Sequence, residues 1–184
     1  MLAAKTNSNT KLQILTRTAL AAALVFVLTF FLKIPSFTGY VHAGDAAVML
    51  SALILPLPYS LVAAAVGAAL ADLCGGYVIW IPFTLIIKAL MTLPFAFGTR
   101  RLLCVRNIVA FPIAIAINVI GYYLSSALIY HSFVSPLSEI PGNIAQSAVG
   151  AVICVVVCVF LDVKPRVRSF ICLRKAEKEN EADK

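Results

Sequence analysis

Charge is what this sequence has least of. Only 12% of its 184 residues are Asp, Glu, Lys or Arg, whereas soluble domains carry about 25%. Eight acidic residues and two histidines leave little material for a catalytic centre. No GxSxG, HExxH, Walker loop or carboxylate pair at acid/base spacing occurs, so the nucleophile and base of an enzyme are missing and neither an enzyme nor a cofactor is expected. Any dependence on ATP must come from a partner. The five cysteines, Cys74, Cys104, Cys154, Cys158 and Cys172, form no CxxC and are not interleaved with His42 or His131. Cys154 and Cys158 share a helix face, but two thiols without further ligands pack as small apolar groups, and no metal is expected.

Apolar residues fill the space that charge vacates, at 61% of the chain, which identifies an integral membrane protein rather than a globule with a large core. The net charge of +7 does not point to nucleic acid, because the basic residues lie at the ends of apolar runs, where they set topology. Five apolar runs are evident: about 16–32, 46–73, 80–101, 108–130 and 143–161. Pro56-Leu57-Pro58 divides the second into helices over about 46–55 and 59–73. Six spans place Lys5, Lys11 and Arg17, then Arg100, Arg101 and Arg106, then the seven basic residues after Leu161 all on one side. With five spans the middle group would move to the opposite face, against the tendency of basic loops to remain inside. The fold expected is therefore an all-α membrane protein, six transmembrane helices in one compact bundle over residues 1–162, with both termini cytoplasmic. Residues 163–184 form a charged cytoplasmic tail, solvated or touching lipid. The first run follows a basic start as a signal peptide would, but lacks a convincing cleavage site and reads as a retained span.

Within that frame one residue is out of place. Lys88 sits near the middle of Trp80 to Arg101, WIPFTLIIKALMTLPFAFGTRR, deep in the membrane. A cation there costs about 2.5–3.5 kcal/mol on insertion scales. The chain must supply a partner, a wet cavity or a ligand. Asp72, at the outer end of the third helix, is one candidate partner, while Asp45 reads as the cap of the second helix. Asn118, Tyr122 and Gln146 are the polar side chains that the fifth and sixth helices bring to the same outer half. Trp80 and Tyr77 are either belt anchors or flat walls for a ring-bearing ligand. The segment 33–44, KIPSFTGYVHAG, is a loop at the far surface. In the first helix Ala19 and Ala23 make a small-xxx-small pair, which lets another backbone come close, within the chain or in a partner.

The order of these pieces, TALAAALVF, then KIPSFTGYVHAGDAAVML, then ALADLCGGY, then WIPFTLIIKALM, resembles the substrate-binding S components of energy-coupling factor (ECF) vitamin transporters. The likeness covers about residues 12–162 and is greatest to the riboflavin-type and related branch. It implies a multi-pass protein of the plasma membrane that captures a vitamin or precursor from outside. It also implies docking on a transmembrane coupling subunit driven by two ATPase subunits, followed by reorientation to release the ligand inside. In that family an AxxxA pattern on the first helix meets the coupling subunit, and here it falls on Ala19 and Ala23. The family's ligand occupies the outer half, where Lys88, Asn118, Tyr122 and Gln146 are expected. Two other classes remain open: a stand-alone secondary transporter, for which an inverted repeat would speak and none is evident, and a structural membrane protein with no ligand.

Overall fold

The computed structural model describes residues 2–36, 39–96 and 102–163. Lipid offers no partner for a backbone N–H or carbonyl, so a chain this apolar must satisfy its backbone within helices. Six are found among the described residues: α1 (Leu2–Phe30), α2 (Gly44–Ile54), α3 (Leu57–Gly75), α4 (Ile81–Leu90), α5 (Val105–Tyr130) and α6 (Ile140–Val163). Five helical segments are long and apolar enough to cross a membrane: Lys11–Phe30, Leu57–Gly75, Val78–Phe95, Val105–Tyr130 and Ser135–Val163. The remaining helix, α2, has 11 residues and so measures about 16 Å. Too short to cross alone, it is the centre of the bundle, with nine of its residues buried, Gly44 to Met49 and Ser51 to Leu53.

The side chains are sorted as a membrane protein requires. On α3 the buried face is Ser60, Ala63, Ala64, Gly67, Ala68 and Ala71, while Val62, Val66, Leu70 and Leu73 face outward. Small residues turn inward because close backbone approach, not hydrophobic exclusion, binds helices in lipid. Gly67 marks the tightest such approach. A Cβ there would overlap the backbone carbonyl of Ala22 and press on Val25, both on α1. Gly67→Ala is therefore expected to destabilise the bundle by about 1–3 kcal/mol, the usual range for overpacking, since a carbonyl oxygen within a helix cannot step aside. Thermal unfolding of the purified variant against the parent measures it, and an unchanged midpoint would mean that α1 and α3 pack more loosely than described.

Two local expectations are corrected. The segment 33–44 is not a plain loop: Lys33–Ser36 (β1) and Gly39–His42 (β2) pair antiparallel, with Lys33 opposite His42 and Ser36 opposite Gly39. Such a short hairpin escapes a reading that weighs Pro35 and Gly39 as loop signals, because proline is tolerated at an edge strand. The run from Trp80 to Arg101 is not one helix. A 3-10 turn over Val78–Trp80 leads into α4, which stops at Leu90, and a second 3-10 turn spans Leu93–Phe95. Pro94 has no N–H to offer the carbonyl of Leu90, so the α ladder ends there. Arg100, Arg101 and the tail from Lys164 onward lie outside the described residues.

Candidate functional site

Two close contacts assemble the site. Gly121 of α5 has no room for a Cβ beside Ile87 of α4, and Gly150 of α6 none beside Asp45 and Ala46 of α2. The helices therefore come together at the level of Lys88, in the last turn of α4. Its ammonium lies 2.6 Å from Asp45 Oδ1 and donates to Asn118 Oδ1 at 2.8 Å, with Met91 Sδ at 3.7 Å. The pair is fully enclosed, at 1% and 0% exposure for Lys88 and Asp45.

The bonds close on themselves. Asn118 Nδ2 donates to Ser147 Oγ at 2.9 Å, and Ser147 Oγ donates to Asp45 Oδ2 at 2.7 Å. Gln146 Nε2 donates to the same Oδ2 at 3.1 Å. Lysine, aspartate, asparagine and serine thus form a ring of hydrogen bonds from α4, α2, α5 and α6, in which one positive and one negative charge cancel. Buried charges are tolerable in this way only when every lone pair and proton finds a partner. Gln146 also ties the ring to the hairpin, because its Oε1 accepts the His42 backbone N–H at 3.4 Å.

An aromatic side adjoins this polar ring. Lys88 Nζ lies 5.1 Å from the centroid of Tyr122, whose hydroxyl is 3.3 Å from Thr84 Oγ1. Trp80 stands 6.1 Å from Tyr122 and 6.5 Å from Tyr130, centroid to centroid. A cation, a phenol and an indole in sequence give a site able to stack a flat ring and to hydrogen-bond its edge.

Of the residues singled out from the sequence, Lys88, Asn118, Tyr122, Gln146 and Trp80 are brought together. Tyr77 is not with them. Its ring receives Lys33 Nζ at 5.4 Å, and the same ammonium lies 4.9 Å from Phe30, linking the hairpin to the corner between α3 and α4. The pairing of Lys88 with Asp72 gives way to Asp45. Asp45 is not a simple helix cap: both its oxygens serve the buried ring. Ser147, Thr84 and His42 carried no sequence signal of their own, being ordinary polar residues until the helices are assembled. Among the described residues no three of His, Cys, Asp and Glu gather as a metal site. Cys154 and Cys158 are buried in the core with Ala151 and Leu161.

Ala19 and Ala23 are both exposed, whereas Ala22, one position away, packs against α3. The small pair therefore faces outward from the bundle.

The family described as ECF-type riboflavin transporter, S component, matches over residues 9–162. No curated protein matches the chain.

Proposed function

Because the chain belongs to the family of ECF-type riboflavin transporter S components, multi-pass membrane subunits that bind a small-molecule substrate, we propose that it captures riboflavin or a closely related ring-bearing vitamin or precursor from outside the plasma membrane. It hands this ligand inward with a coupling subunit and two ATPase subunits. In this reading both termini and the tail after residue 162 are cytoplasmic, because the basic residues of the two ends and of the loop before α5 then lie on one side. The site proposed is Lys88, Asn118, Tyr122, Gln146 and Trp80. The observation that carries this reading is the meeting of an aromatic pair, Trp80 and Tyr122, with a buried polar ring at one place in the bundle. Trp80 and Tyr122 stack the ring system, and the amides of Asn118 and Gln146 address its polar edge.

Trp80 also supplies the test, since it is the single tryptophan of the chain and its emission reports on this place alone. Titrating riboflavin into the purified protein in lipid nanodiscs is expected to quench that emission saturably at nanomolar to micromolar concentration. Asn118→Ala is expected to weaken binding roughly tenfold, the effect of one lost buried hydrogen bond with its stranded partner at about 1–3 kcal/mol. Mass spectrometry of small molecules retained on purification identifies the native ligand. If neither riboflavin nor any retained molecule binds, the capture function is wrong. If ATP-independent import occurs with this chain alone in vesicles, the dependence on a coupling module is wrong.

A further inference from the structure

His42 ends the second strand of the hairpin and is 8% exposed. Its Nδ1 accepts the backbone N–H of Gly44, the first residue of α2, at 3.1 Å. Its own backbone N–H reaches Gln146 of α6. There is little slack around it, because a Cβ on Gly44 would overlap Thr29 Oγ1 of α1 and crowd the imidazole. The last residue of the hairpin is thus pinned to α2 through the ring and to α6 through the backbone, and the first pin requires an Nδ1 that carries no proton.

The geometry points to the seat of this hairpin as an acid-sensitive latch: protonation of His42 at Nδ1 turns an acceptor into a donor facing the Gly44 N–H, and the end of β2 lifts from α2 and α6. The charged groups facing the imidazole are Asp45 on α2, Lys88 on α4 and Lys33 on β1. Asp45 would favour the imidazolium, but it is already neutralised by Lys88 at 2.6 Å, and Lys33 opposes a new positive charge. Burial outweighs the rest and holds the imidazole down to about 4, from 6.5 in water. With the seated value depressed, the contribution of this contact is complete above pH 6.5 and is lost as the pH falls towards 4. The latch itself does not depend on the identity of the transported ligand. Its consequence for transport, faster outward escape of a captured molecule in acid, rests on the proposed function.

The test needs no ligand. A nitroxide is placed on Ser36→Cys in the full chain, with the native cysteines replaced, in nanodiscs of neutral lipid, and its spectrum is followed from pH 7.5 to 4. The mobile component is expected to rise at least tenfold, with its midpoint between the two values above, and to remain low throughout in His42→Asn, whose amide oxygen supplies the same acceptor without titrating. His131→Asn, which alters the other histidine, is expected to retain the transition. A wild-type spectrum constant over this range overturns the latch, and so does loss of the transition in His131→Asn or its persistence in His42→Asn. If His42→Asn does not fold, the wild-type and His131→Asn series decide the matter between them.

Discussion

Lys88→Met alone is expected to lower the stability of the folded chain by about 3–5 kcal/mol, the cost of stranding one member of a buried ion pair. Lys88→Met combined with Asp45→Asn is expected to recover most of that loss. The single change leaves a carboxylate at 0% exposure with no cation beside it and removes the donor to Asn118. In the double variant the charge is gone from both sides, and the amide oxygen of residue 45 still accepts from Ser147 and Gln146. A buried pair replaced whole is often neutral, whereas a pair broken by half is not, so the coupling between the two sites should be of the size of the single loss. Unfolding of the four proteins of this cycle in a graded denaturing detergent measures it. A single variant as stable as the parent would mean that the ammonium does not meet Asp45 in the membrane. The result also governs how binding data are read. A lysine whose three protons are directed at Asp45, Asn118 and Met91 Sδ reaches a ligand only by giving up one of these contacts, so loss of binding in Lys88→Met has to be separated from loss of fold.

The sequence carried the membrane class, the number of helices and the polar residues of α4, α5 and α6 because each of these is written locally: as run length, as basic flanks, or as a polar side chain in an apolar stretch. What it could not carry was the choice among partners. Asp45 and Asp72 are both acids at the ends of apolar helices, and their spacing along the chain does not say which meets Lys88. Depth decides, since α2 is short and begins inside the bundle, with His42 and Gly44 packed under the end of α1. A short helix cannot be told from a full span cut by a proline turn when both read as apolar runs of similar composition. Ser147, beside Gln146 on the sixth helix, could not be singled out for a related reason: a serine on a membrane helix gains meaning only from what stands opposite. The stop of α4 at Leu90, by contrast, is written locally, in Pro94.

Ala19→Trp together with Ala23→Trp is expected to abolish ATP-driven uptake while leaving the fold and the binding of riboflavin unaltered. The prediction turns on which way the small residues of α1 face. Ala22 is spent inside the chain, where its carbonyl meets Gly67, and Ile14, Thr18, Val25 and Thr29 are the buried positions among the described side chains of that helix. Ala19 and Ala23 lie on the other side, exposed together with Leu20, Leu24 and Val27. An outward helix face that met only lipid would gain nothing from alanine over leucine, whereas a seam with a second transmembrane protein gains close backbone approach. An indole on that face is accepted by lipid and refused by such a seam. Each overpacked side chain costs about 1–3 kcal/mol, so two weaken docking by about 30-fold or more. The two added indoles would also emit, so the binding half of the experiment is read from the fluorescence of the flavin itself. Uptake is measured in vesicles holding the coupling subunit and both ATPases. Normal uptake by this double variant would place the coupling contact on another face of the bundle, and lost binding would show that α1 shapes the ligand site rather than the dock.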